Sequence, residues 1–517
     1  MKLTVIQLLA DDINRFQNTS HRIQQKIREA CQEGADLILL PECAYPAYMI
    51  GLEKEPDSLS NIPDFLSRMS ELAAGNQVYL AVGTAMFEDG VLYNGVAVFD
   101  RSGEMIAKAY KSNLWHFDGK WFSQGEPGCV FDTEFGKIGV MVCADGRIPE
   151  IARILRLKGA GLILDAVNLV ASAGTPDQLT NQQYQFMLQA RAKENGVYIA
   201  VCDKAGIESS TVTCLGRSMI VTPDGDIAAE CSPDKEEMLT YELELKEMPP
   251  LKGRRPELYH ILAEPIRTLP VTAVIERPYR LSDLECFTAV IRFDCTDEAD
   301  YVEKAMDGIR RAAILDSRLA VLPEMKEGMS LDAGSLEYLC SHMPDHICAV
   351  TAYGTDGGGK RAVVFNADGI KGELPASHID GSGDADEIRV LELFPGCCVA
   401  ALFGEEMEIP EIARVAMLKG ADILIWFDRK NTGDTMKMMQ TRAAENKVFV
   451  LRTTPCGSMD YSLGANPDGG KLFTTFCTLE QTASGMIHTS LSKSKEVVPG
   501  TNIVYGRNPN YYKELTI

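Results

Sequence analysis

The stretch IPEIARILRLKGAGLIL occupies residues 148 to 164, and IPEIARVAMLKGADILI occupies residues 409 to 425. Two segments this similar, 261 positions apart, mark an internal duplication, and an internal repeat decides domain organisation before any local reading does. The landmarks on either side recur in the same order. DLILLPE, ending at Glu42, pairs with RLAVLPE, ending at Glu324, and RAKENGVYIA from Arg191 pairs with RAAENKVFVL from Arg442. Even the closing segments agree, GRRPELYHIL from Gly253 with GRNPNYYKEL from Gly506. The repeat predicts a first domain over 1–262, a linker over 263–284 and a second domain over 285–517. Pro265, Pro270 and Pro278 in the linker block helix interiors and suggest an extended connection.

Within a copy, β-rich runs alternate with helical patterns. LTVIQ is a strand; Ile23, Ile27, Ala30 and Cys31 fall at helical spacing; ADLILL reads as a buried strand. QVYLAVGTA is a further buried strand, and VLYNGVAVFD with SGEMIAKAYK forms a pair turning at Ser102 and Gly103. The fold class is α/β, sheets with helices against them; periodicity alone leaves open whether two sheets stack or one is doubly wound.

Bulk properties narrow the function classes. At 517 residues the chain exceeds one ordinary core. It is 45% apolar, with no run of eighteen apolar residues, so membrane spanning is not expected. The opening MKLTVIQLLA runs straight into Asp11 and Asp12, which suits a first strand rather than a signal peptide. Fifteen cysteines without framework spacing predict free thiols and a cytoplasmic location. A formal charge of −22 repels phosphate backbones, so no nucleic-acid partner is expected. No motif for a nucleotide, flavin or metal stands out, and no cofactor is predicted.

The chemical signal is KIGVMVCADGRIPEIARIL, where an apolar strand runs into Cys143 and a helix begins at Pro149. Backbone N–H groups and the positive helix end at such a turn are expected to lower the thiol pKa and to receive an oxyanion. A lone cysteine is ordinarily a small buried hydrophobe, so position alone decides nothing.

Its company decides more. LLPE at Glu42, AYKSNLW at Lys111 and VCADGRIPE at Cys143 together resemble the nitrilase, or carbon–nitrogen hydrolase, superfamily over the whole first copy. That resemblance implies a four-layer α-β-β-α sandwich in which Glu42, Lys111 and Cys143 meet in one pocket: Glu42 as general base, Cys143 as nucleophile forming a thioester, Lys111 as oxyanion cation. No metal is required. Members often carry a second acid between the lysine and the cysteine; Asp118 in FDGKWFSQGEP is the match, with Glu126 the alternative. Ala144 follows the cysteine where nitrile hydrolases of the family have Trp, which favours amides, and its backbone N–H is the expected second oxyanion donor. Arg147 matches an arginine of N-carbamoyl amino acid hydrolases, and a guanidinium there suits a substrate carboxylate; the competing reading is an ion pair at the helix start, with Glu150 or another acid.

The expected activity is therefore cysteine-dependent hydrolysis of a small linear amide or N-carbamoyl compound with release of ammonia. Acyl or amide transfer, nitrile hydrolysis and non-catalytic binding are the alternatives. In the second copy Cys143 falls on Gly404 and Lys111 near Ser377, while Glu324 keeps the acid, so this copy is expected to be inactive. It looks like a dimer partner made covalent, an intramolecular pseudo-dimer open to further homo-oligomerisation.

Overall fold

The computed structural model describes all residues except 53–56, 172–174, 252, 356, 379–384, 430–434, 456–462 and 476–478. The chain divides into one unit of Met1–Leu251 with Val498–Thr501 and another of Lys252–Val497 with Asn502–Ile517. The closing segment from Gly253 to residue 262, assigned by sequence to the first copy, thus groups with the second unit. The linker also differs from the extended path read from its prolines. Pro270 opens a helix, Pro270–Glu276, flanked by single turns at Ile266–Thr268 and Leu281–Asp283. Proline at the first helical position removes only an N–H that has no partner there anyway, and Leu269 and Val271 are buried beside it.

The first unit stacks two sheets. One carries eight strands, in the order Val212–Leu215, Lys204–Glu208, Lys2–Leu9, Leu37–Leu39, Tyr79–Glu88, Val91–Phe99 and Met105–Tyr110, with Glu237–Glu242 also pairing Lys2–Leu9. The other runs Ile227–Glu230, Met219–Val221, Tyr198–Cys202, Leu162–Ala166, Gly136–Val142 and Cys129–Thr133. Strands buried on both faces carry continuous apolar runs, one side meeting helices and the other the second sheet. Ile6, Leu8, Ile38, Leu40, Leu80 and Val82 pack on Ile23, Ile27 and Ala30 of helix Phe16–Gln32 and on Phe65 and Met69 of helix Ile62–Asn76. Their alternate neighbours Leu3, Val5, Leu37 and Leu39 are fully buried on the opposite face. The predicted hairpin forms with its turn at Ser102 and Gly103; Gly103 sits at φ +84°, and the Asp100 carboxylate accepts the N–H groups of Ser102 and Glu104.

The second unit repeats the plan with two six-stranded sheets. Alternation is explicit in Glu285–Arg292: Cys286 and Val290 join a core with Val321, Val399, Ile425 and Leu451 of both sheets, whereas Ala289 and Ile291 face Tyr301, Ala305 and Ile309 of helix Glu298–Ile314. Each unit is an α-β-β-α sandwich. Among the described residues no helix is long and apolar enough to cross a membrane, and no His, Cys, Asp or Glu cluster suits a metal. The described cysteines are free thiols.

Candidate active site

In the first unit, Glu42 leaves the end of strand Leu37–Leu39 through Pro41, against which Gly83 packs so closely that a Cβ there would lie 2.0 Å from the Pro41 carbonyl oxygen. Lys111 follows strand Met105–Tyr110, and its backbone N–H donates to the Asn94 carbonyl at 2.8 Å. The Lys111 ammonium donates to Glu42 Oε1 at 2.8 Å and to Asp118 Oδ2 at 2.6 Å, and all three side chains are fully buried. Asn94 Nδ2 adds a second donor to Glu42 Oε1 at 2.6 Å. Glu42 Oε2, equally buried, accepts no hydrogen bond from the described residues.

Asp118, on the turn His116–Lys120, is the acid brought to Lys111; it also accepts the Tyr48 hydroxyl at 2.6 Å and the Trp115 N–H at 3.0 Å. Glu126, the alternative, is exposed, and its backbone carbonyl accepts the Tyr110 N–H. Burial alone would lower the Lys111 pKa, but Asp118, the Cys143 sulfur and Glu42 outweigh it and hold the ammonium well above the ordinary lysine range.

Cys143 ends strand Gly136–Val142 and opens a single turn, Cys143–Arg147, before helix Pro149–Leu157. Its φ is +52°, a left-handed conformation costing an L-residue roughly 1 kcal/mol. Surrounding groups hold it there. The Cys143 N–H donates to Asp165 Oδ1 at 2.9 Å, and Gln183 Nε2 donates to the Cys143 carbonyl at 2.9 Å. The buried Arg191 guanidinium pairs with Glu194 and donates to the Gly146 carbonyl at 3.3 Å. Asp145, in the same turn, accepts Ser112 Oγ at 2.9 Å and the Asn113 N–H at 2.9 Å, fixing the loop after Lys111 to the turn that carries the thiol.

The lowered thiol pKa expected from the turn is not what the structure gives. Burial pushes the Cys143 thiol well up, and the Glu42 charge pushes it further, against a smaller opposing pull from Lys111. Helix-end and backbone effects are outweighed because the sulfur is out of water beside a carboxylate.

Ala144 is buried at the second residue of the turn. Arg147 is only 6% exposed; it donates to Gln182 Oε1 at 2.8 Å and lies 5.1 Å from the Trp115 ring. Several residues that build the site carry no motif: Tyr48, Asn94, Asp165, Gln183 and Glu208. Glu208 accepts the N–H groups of Tyr48 and Met49 at 2.7 and 2.6 Å and pairs with Lys204 at 2.6 Å, which fixes the tyrosine against Asp118. The available signal was a polar residue inside an apolar run, as in LILDAVNLV around Asp165, because burying such a group requires a partner.

The second unit keeps the turn and replaces the groups. Gly404 occupies the Cys143 place at φ +51°, and a Cβ built on it meets nothing within 4 Å among the described residues. Arg442 donates to the Met407 carbonyl at 2.9 Å and pairs with Glu445 at 2.7 Å, repeating Arg191 and Glu194. Glu406 takes the Asp145 role, accepting the Ser377 and His378 N–H groups at 2.6 and 2.7 Å. Strand register (Gly95 opposite Tyr110, Arg361 opposite Pro375) puts Ala376 in the Lys111 place and Ser377 in that of Ser112.

The family model described as "Carbon-nitrogen hydrolase" matches residues 2–252 and 363–488. The chain belongs to the carbon–nitrogen hydrolase family. Its similarity to an omega-amidase of Mus musculus is 30% identity over 280 residues, covering 50% of this chain and 97% of that protein. A nitrilase of Pyrococcus abyssi is 31% identical over 249 residues, covering 47% of this chain and 90% of that protein. Among solved structures, an amidase from Nesterenkonia sp. is 25% identical, covering 47% of this chain and 90% of that one, with a TM-score of 0.42.

Proposed function

We propose that the first unit hydrolyses the C–N bond of a small linear amide or N-carbamoyl compound, with Cys143 as nucleophile, Glu42 as general base and Lys111 as the oxyanion's cation. The observation that carries this reading is the buried Glu42–Lys111–Asp118 set, in which one carboxylate oxygen is occupied twice and the other is left for a proton. Because the thiol is pushed up, it does not ionise by itself near neutrality. The proton passes to Glu42 Oε2 as the sulfur attacks the carbonyl carbon, so base and nucleophile act in one step.

The oxyanion that forms is met by the Lys111 ammonium, which its neighbours keep charged, and by the Ala144 N–H; each donor of this kind contributes about 3 kcal/mol in a water-poor site. Glu42 returns the proton to the departing nitrogen, ammonia leaves, and the same carboxylate then takes a proton from the water that opens the thioester. Asp118 balances the lysine charge that Glu42 alone would otherwise hold too tightly. Arg147, beside Trp115 near the turn, suits a substrate carboxylate, which favours ω-amido or N-carbamoyl acids and accords with the omega-amidase name of the murine relative.

The test is ammonia release by wild type and by Cys143→Ala over carboxamides, N-carbamoyl amino acids and nitriles. Release from wild type alone is expected, strongest with carboxylate-bearing amides. Silence across the panel, or release that survives Cys143→Ala, overturns the proposal.

A further inference from the structure

We propose that the second unit holds a non-hydrolytic binding site for a small molecule carrying a carboxylate and an N–H donor, set between Glu324, Lys360, Arg429 and the Gly404 turn. Register gives the correspondence. Leu37 and Leu319 pair with Tyr79 and Cys348, and Ala85 and Gly354 lie opposite Asn94 and Lys360, so Lys360 stands where the first unit has Asn94. Met141 and Leu402 lie opposite Asp165 and Trp426, which in turn lie opposite Val201 and Arg452. Counting on along the chain, Asp428 and Arg429 replace Val167 and Asn168.

A site that had merely lost its use would be expected to close over apolar side chains, because burying charge is expensive. Here four neutral positions have become charged instead. Lys360 donates to Glu324 Oε1 at 2.7 Å from a position 29% exposed, and Arg429 donates to the Met325 carbonyl next door. Asp428 and Arg452 satisfy each other at 2.6 Å, and Arg452 lies 5.0 Å from the Trp426 ring, whose Nε1 donates to the Gly404 carbonyl at 2.9 Å. These contacts link the glutamate continuously to the emptied nucleophile position.

Two features point to a ligand. Glu324 is 4% exposed, yet its Oε2 accepts no hydrogen bond from the described residues, so a buried acceptor waits for a donor. Burial raises its carboxyl pKa, against the pull of Lys360 and Arg429. Among the described residues nothing fills the space at Gly404 in which the first unit has its sulfur. Lys360 and Arg429, two cations beside the Glu324 carboxylate, suit a ligand carboxylate, while Glu324 Oε2 takes an amide or ammonium N–H. With alanine in the lysine place and no thiol, the bound molecule is held and not cleaved. This inference stands on the second unit's own residues and not on turnover at Cys143.

The experiment is calorimetric titration of the full-length Cys143→Ala chain with succinamate, succinate and propionamide, repeated on chains that also carry Lys360→Met or Glu324→Ala. Two succinamate events per chain are expected, one of them weakened at least tenfold by either added substitution. Succinate, which lacks the N–H donor, and propionamide, which lacks the carboxylate, should each bind that second event at least tenfold more weakly. The partly exposed Lys360→Met change keeps the test valid should Glu324→Ala fail to fold. Binding that ignores both substitutions, in one event or two, overturns the inference. A single event that is sensitive to Lys360→Met upholds it and counts instead against carboxamide binding at Cys143.

Discussion

Replacing Glu42 with Gln should move two properties of Cys143 in opposite directions. The amide keeps an oxygen for Lys111 and Asn94, so the buried donors at 2.8 and 2.6 Å remain satisfied and the fold should tolerate the change. What disappears is a negative charge that now holds the thiol up. A like charge beside a thiol disfavours the thiolate, so the thiol should fall when that charge is removed. A thiolate of lower pKa is also a poorer nucleophile, with a Brønsted slope near 0.5, so each tenfold gain in thiolate raises alkylation at neutral pH by only about threefold, and a net rise of several-fold is expected. Ammonia release, which needs the base, should fall about 10²–10⁴-fold. The assay is paired: iodoacetamide labelling of Cys143, read by mass spectrometry, beside ammonia release from the best amide. Alkylation that drops together with hydrolysis would refute the reasoning, because it would mean that Glu42 promotes thiol reactivity in every setting and does not suppress the resting thiolate.

Other expectations follow from the same contacts. Asp118→Asn takes one of two carboxylates from the buried Lys111 ammonium while Glu42 still pairs with it; losing a charge-assisted hydrogen bond costs about 1.5–3 kcal/mol, so melting temperature and turnover should both fall, with Asp118→Glu recovering part of each. Gly83→Ala should impair ammonia release while the folded signal persists at reduced stability, since the added Cβ meets the Pro41 carbonyl at 2.0 Å and displaces the segment bearing Glu42; unchanged kinetics would show that this approach does not position the base. Placing Gly404→Cys in a Cys143→Ala chain should restore no ammonia release, because Ala376 stands where a lysine is needed; measurable turnover would count against the role given to Lys111. His378 is lowered from 6.5 to about 4, first by burial and then by the Arg255 charge, so its folded form resists protonation. Its contribution is complete above pH 6.5 and is lost as pH falls towards 4, amounting to as much as about 3 kcal/mol; melting temperature should drop across that window and flatten in His378→Gln.

What was legible in the sequence is the part encoded locally or twice. The duplication, the sandwich-forming strands with two apolar faces, and the strand-to-helix turn at Cys143 are all written in short runs, as are Glu42 and Lys111 at strand ends. Between Asp118 and Glu126 the sequence left the choice open, because both follow Lys111 in one loop; only the fold brings Asp118 to Lys111 and leaves Glu126 exposed. Tyr48, Asn94 and Glu208 were not legible, since each acts through a partner 52 to 160 positions away and has no local period. The thiol's electrostatics were misread for a related reason. A turn's dipole is visible in the sequence, whereas burial beside a carboxylate is a tertiary property. The helix at Pro270 shows the converse limit, because proline forbids helix interiors but welcomes a first turn.

The backbone at Cys143 and Gly404 takes the same left-handed bend, at φ +52° and +51°. For cysteine that bend is a standing expense of roughly 1 kcal/mol, tolerable while the thiol is used; for glycine it is nearly free. Loss and recovery of the nucleophile are therefore unequal. Once the chemistry is dispensable, a change to glycine relaxes the chain, and every step back must restrain it again before any activity returns. The second unit sits at the bottom of that slope, its turn still braced by a buried arginine, Arg442, matching the Arg191 beneath the thiol.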